Sequence, residues 1–75
     1  MADTMTVGGV VWDRVQDRES EHWCTMVGTI RVDVYDDCNH TVWCSEINED
    51  GLTITELNAT NLQDAMREAV YDVTH

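Results

Sequence analysis

Two short runs hold the residues best suited to chemistry. His22-Trp23-Cys24 is an H-x-C, Cys38-Asn39-His40 is a C-x-H, and Cys44 follows four residues on. Five nitrogen and sulfur donors within 23 residues are enough for a tetrahedral zinc site. The candidate ligands are His22, Cys24, Cys38, His40 and Cys44. Against this, structural zinc sites draw paired ligands from tight C-x₂₋₄-C knuckles, and this chain has none. Residues two apart on a strand share a face but stand roughly 6–7 Å apart. Small thiols and neutral imidazoles are also common in cores without metal. The sequence therefore assigns Cys24 and Cys44 to the core, places Cys38 in a turn, and implies no resident cofactor. His40 could activate Cys38 or Cys44 as a nucleophile. No oxyanion hole or orienting third group accompanies the pair, and Gly8-Gly9 is too short to cradle a phosphate. No catalytic residue is assigned, and the expectation is a non-enzyme.

Acidic residues offer a different chemistry. The chain has 75 residues, with fifteen Asp and Glu against four Arg and no Lys, a net charge of −11. Residues 1–37 hold eight acids and three Arg, and residues 38–75 hold seven acids and one Arg. The charge belongs to the whole surface rather than to a tail. Such a surface repels nucleic acid phosphates and anionic membranes alike. It suits a larger protein with a basic surface.

One row of acids stands out. Asp64, Glu68 and Asp72 recur at i, i+4 and i+8 of the last amphipathic segment. On a helix they would align about 6 Å apart along the axis, comparable to phosphates along a nucleic-acid strand. Like charges at that spacing destabilise a helix, and Asp72 would also oppose the helix dipole in the last turn. A sequence selected for stability alone would place Lys there. The row reads as a surface imitating nucleic acid, supported by Asp36, Asp37, Glu49 and Asp50. The competing readings are an ordinary solvated face and adaptation to high salt, for which a Lys-free, Asp- and Glu-rich composition is typical.

These residues need elements to position them. Leu62, Ala65, Met66, Ala69, Val70 and Val73 form one stripe of a helix over roughly 60–73. Thr60 is its expected N-cap, with Gln63 completing a capping box. Ile30, Val32 and Val34 alternate with Arg31, Asp33 and Tyr35 as a strand. Val42, Cys44 and Glu46 alternate with Trp43, Ser45 and Ile47, and after the Asn48-Glu49-Asp50-Gly51 turn Leu52 and Ile54 alternate with Thr53 and Thr55. Trp23 to Val27 reads as a further strand, with Gly28 as a bulge or break. Val10 to Val15 fits a strand or a short helical stretch. The expected fold is α+β: one domain over 1–75, with an antiparallel meander of four or five strands and a C-terminal helix on one face.

If Ile30, Val32, Val34, Leu52 and Ile54 face the helix, then Arg31, Asp33, Tyr35, Thr53 and Thr55 face outward. Tyr35 and Trp43 are the expected aromatic anchors of an interaction surface. The alternative for Trp43 is a second small core under the N-terminal segment. So small a chain buries only about 60% of its unfolded surface, so a partner or homodimerisation would add stability. There is no apolar run long enough to span a membrane and no basic n-region in Met1 to Val11, which points to the cytoplasm.

Size, acidity and the sheet-plus-helix pattern resemble phage-encoded inhibitors of host defence, anti-CRISPR proteins among them. The likeness is one of class; it covers no motif and transfers no functional residue. It implies a non-enzymatic inhibitor acting in the host-cell cytoplasm. The alternatives are a small zinc module and a salt-adapted housekeeping domain.

Overall fold

A computed structural model describes residues 3–16, 21–36 and 42–74. Six strands are followed by one helix: β1 (Thr4–Val7), β2 (Val10–Arg14), β3 (His22–Val27), β4 (Ile30–Asp36), β5 (Trp43–Asn48), β6 (Leu52–Glu56) and α1 (Leu62–Thr74). The strands pair antiparallel in chain order, β1-β2-β3-β4-β5-β6, an uninterrupted meander. The fold is α+β, as expected, with six strands rather than four or five.

The additional strand is β1. Val7 pairs with Val10 across Gly8-Gly9, whose φ values are +61° and +79°. A two-residue turn with both residues at positive φ matches the right-handed twist of its flanking strands, and glycine adopts it without a Cβ clash. Gly28 is likewise a turn residue and not a bulge: with Thr29 it links the paired Val27 and Ile30.

Cross-strand partners share a face, so the register sorts every side chain. Val7, Val10, Trp12, Trp23, Val32, Val34, Trp43 and Ile47 fall on the helix side. Most of the core is built there: Val7, Trp12, Trp23, Val32 and Val34 with Leu57, Ala65, Met66 and Ala69 of the C-terminal segment. Trp12 is fully buried, at 0% exposure. Leu62, Val70 and Val73 pack around the margin. The small Ala65 and Ala69 let the helix approach the sheet, while Met66 fills the remaining space.

The expected helix stripe is therefore the observed one, but the cap is not. The first helical bond runs from Ala65 N–H to Asn61 O at 3.0 Å. Asn61 Oδ1 accepts from Asp64 N–H at 2.9 Å, and Asn61 Nδ2 donates to Asp64 Oδ2 at 3.0 Å. Asn61 and Asp64 thus serve as N-cap and reciprocal partner in place of Thr60 and Gln63. Either Asn or Thr satisfies the orphan amides, so the local sequence alone left two registers open.

Leu52 and Ile54 are also corrected. They pair with Asn48 and Glu46, which puts them on the face away from the helix, and they stay 60% and 59% exposed. The three-residue turn Glu49-Asp50-Gly51 fixes this register. Thr53 and Thr55 take the helix side instead. The helix packs mainly on β4 and β5 and also meets β1. Thr53 remains exposed even on the helix side.

Candidate functional site

The sheet face away from the helix carries the chain's polar chemistry. Row by row it holds His22, Tyr35, Cys44 and Glu56; then Asp13, Cys24, Asp33, Glu46 and Ile54; then Met26, Arg31, Asn48 and Leu52. His22, Asp33 and Cys44 are buried at its centre. No described element packs over this face.

Asp33 organises the centre. His22 Nε2 lies 2.7 Å from Asp33 Oδ2, and Arg31 Nε donates to Asp33 Oδ1 at 2.8 Å. Burial alone would push the Asp33 carboxyl up, but hydrogen bonds from Arg31 and then His22 outweigh it and hold it below the ordinary Asp value. An ionised carboxylate only accepts, so the His22 proton on this side sits on Nε2. The Tyr35 ring stacks on His22 with centroids 5.2 Å apart. Burial raises the Tyr35 phenol, and the nearby Glu46 and Cys44 raise it further.

Cys24 sits beside Asp33 and is half-buried. Burial raises its thiol first; Arg31 works against this, and Asp33 and Asp13 add to it. A raised thiol pKa is the reverse of what an activated nucleophile needs. Between β2 and β3 only Asp13↔Cys24 and Arg14↔Trp23 pair, and beyond them Thr25 Oγ1 bridges to Val11 O at 2.7 Å. An open cleft of about 300 Å³ lies beside this gap, lined by Asp13, Cys24, Thr25, Met26 and Arg31.

Among the described residues, no group of three or more His, Cys, Asp or Glu is placed to hold a metal ion. His22, Cys24 and Cys44 do share the face, but His22 is engaged by Asp33. Cys38 and His40 lie outside the described residues, as does Asp37.

The expected partner-binding residues do not form one surface. Tyr35 is on the open face. Trp43 is on the helix side, half-buried and packed against the core. The two aromatics cannot anchor one interface, because an odd offset across paired strands reverses the face: Trp43 is opposite Asp36, while Tyr35 is opposite Cys44. Asp36 accordingly shares the helix side with Trp43. Glu49 and Asp50 are exposed at the β5–β6 turn.

Asp64 and Asp72 are exposed and Glu68 is half-buried on the helix. Two of the three have structural partners. Asp64 completes the cap and accepts from Arg67 at 3.1 Å. Both Glu68 carboxylate oxygens accept from Asn58 N–H at 3.1 Å, tying the loop after β6 to the helix. Only Asp72 keeps the unfavourable position that the sequence suggested. Asp64→Ala is therefore expected to lower stability by about 0.5 kcal/mol and Asp72→Lys to raise it by a similar amount. Urea midpoints check this, and shifts of the same sign would contradict it.

Sequence reasoning missed the exposed apolar margin of the open face. Val11, Met26, Leu52 and Ile54 are four of its large hydrophobic side chains, each more than half exposed. The signal was present in the turn length, which fixes the register of β6. No protein-family model, curated protein or solved structure matches the chain. Among the described residues, no helix is long and apolar enough to cross a membrane.

Proposed function

We propose that this is a small, acidic, non-enzymatic inhibitor that binds a basic, nucleic-acid-handling surface of a larger protein. One observation carries the reading: on a chain of net charge −11, the open sheet face presents exposed Leu52 and Ile54 at one margin and Val11 and Met26 at the other, with Asp13, Glu46 and Glu56 on the same face. Leu52 and Ile54 form an exposed apolar pair on β6, apart from Val11 and Met26 on β2 and β3, and exposed apolar side chains next to polar groups suit a protein interaction site. Apolar contacts supply the desolvated part of an interface, and charge supplies steering and partner choice. The acids at the β5–β6 turn, Glu49 and Asp50, extend the negative field beyond the sheet. The bonds made by Asp64 and Glu68 move the weight of the proposal from the helix row to the sheet face. Occupying a groove that holds nucleic acid would block it by competition, as in the anti-defence proteins that the chain resembles in class.

The test begins with capture from a nuclease-treated lysate at low and high salt. The recovered protein is then purified and assayed for nucleic-acid binding in competition with this chain. The expected result is displacement of nucleic acid at low salt, weakened at high salt. A captured protein that keeps its nucleic acid at saturating inhibitor would refute the competitive mechanism. Leu52→Asp should weaken displacement at least tenfold, or about 1.4 kcal/mol, while leaving the melting temperature nearly unchanged.

A further inference from the structure

Strand β6 ends the sheet, and its register with β5 is unbroken from Asn48↔Leu52 to Cys44↔Glu56. Two bonds at its ends set which backbone groups face inward. Leu57 N–H donates to Trp43 O at 2.7 Å, and Glu49 N–H donates to Gly51 O at 3.2 Å. Hydrogen-bonded pairs alternate along an antiparallel ladder. Thr53 and Thr55 therefore turn their N–H and C=O toward β5. Leu52, Ile54 and Glu56 turn theirs to the open edge, where no described residue pairs with them.

Native edge strands are usually blunted by Lys, Pro, a bulge or an overlying element. Leu52-Thr53-Ile54-Thr55-Glu56 has none of the first three. Four of these five residues are exposed, including both apolar ones, so the helix does not shield the strand. The segment is β-branched at three positions and carries a single charge. These are the properties of a strand that accepts another strand.

We infer that β6 is the docking edge, and that it pairs with an extended, cationic segment of the partner by strand addition. This rests on the function proposed above and names the mode of contact. Charge selects the occupant. Glu49 and Asp50 stand at one end of the strand and Glu56 at the other, and the whole chain is at −11. A second copy would bring the same charge to the same edge, whereas a basic strand is attracted to it. Alternate side chains of the incoming strand would continue the open face beside Leu52 and Ile54. Apolar residues there, with Lys or Arg between them, complete both contacts.

Two eight-residue probes test this: a peptide of alternating Lys and Val, and its fully N-methylated counterpart, which has the same charge but carries methyl groups that keep its backbone from approaching the edge. Amide exchange and chemical shifts are read by NMR on the full chain. At a peptide concentration about ten times its Kd, exchange at Leu52, Ile54 and Glu56 should slow about tenfold, and the methylated peptide should not slow it. If both peptides shift the acidic residues while the three amides stay unprotected, the basic-partner reading stands and the edge is overturned. If neither binds, both readings fall. If the amides are already protected without peptide, and sedimentation shows a dimer, a second copy occupies the edge and the inference is overturned. Ile54→Pro removes one outward N–H and leaves the β5 ladder intact, so it should abolish protection in a folded chain. Retained protection in that variant would also overturn the inference. The wild-type exchange decides the matter even if the variant does not fold.

Discussion

Trp12→Ala should abolish cooperative folding at room temperature. Trp12 is the largest fully buried side chain, at 0% exposure, and joins the β1–β2 hairpin to the core beneath α1. Truncating a buried aromatic costs about 3–5 kcal/mol, through lost transfer energy and the cavity left behind. A core of this size rarely supplies more than about 3–5 kcal/mol in total. The cost thus equals the whole stability, and a helix that depends on packing against the sheet would melt with it. Far-UV circular dichroism with a urea titration measures this. Trp12→Phe is the informative control. It keeps a six-membered ring in the core and removes an indole N–H that has no hydrogen-bond partner among the described residues. That variant should fold, with a lower midpoint. A cooperative Trp12→Ala transition near the wild-type midpoint would show that the hairpin does not contribute to the core.

The elements with a clear period were legible before the structure. The α1 stripe needed only spacing, and β4 needed only the alternation of Ile30, Val32 and Val34 with polar residues. Strand β1 was missed because Thr4–Val7 is four residues long and Thr is compatible with either face. Its signal lay in Gly8-Gly9, which links two valines at hairpin distance. The faces of β6 were read wrongly for a different reason. Alternation shows that Leu52 and Ile54 share a side, but not which side; that depends on the register set by the turn and on how far α1 reaches. A strand at the end of the sheet, past the helix, can leave apolar residues in solvent.

The site was less legible than the fold. In the sequence His22 and Cys24 stand out as metal donors, whereas Asp33 and Arg31 are plain alternating polar residues of a strand. Only cross-strand pairing brings them together: His22 opposite Tyr35, and Cys24 opposite Asp33. The acid row was legible as a pattern, but not the bonds that occupy it. Asn58 and Asn61 reach Glu68 and Asp64 from the loop before the helix, a connection no periodicity encodes.

Asp33→Ala should then be the most damaging change on the open face, lowering stability by about 2–3 kcal/mol. Hydrogen bonds to a charged group contribute about 1.5–3 kcal/mol, and removing one side of a buried pair leaves the other unpaired. The unpaired group is His22 Nε2, which is buried. Arg31 is more than half exposed and can turn to water, which keeps the cost below that of a fully enclosed pair. The sign of the pH dependence follows from the carboxyl being held below its ordinary value. A depressed folded-state pKa contributes stability that is complete above the unfolded value, about 3.9, and is lost as pH falls through the folded value. Urea midpoints of the wild type and Asp33→Asn should therefore differ at about pH 5 and converge below about pH 4. The other carboxylates are common to both proteins. Subtracting the two curves isolates Asp33. A difference that grows as pH falls below about 4 would mean that the folded state prefers the protonated acid, and the His22–Asp33–Arg31 network would then not be the ionised cluster that the geometry indicates.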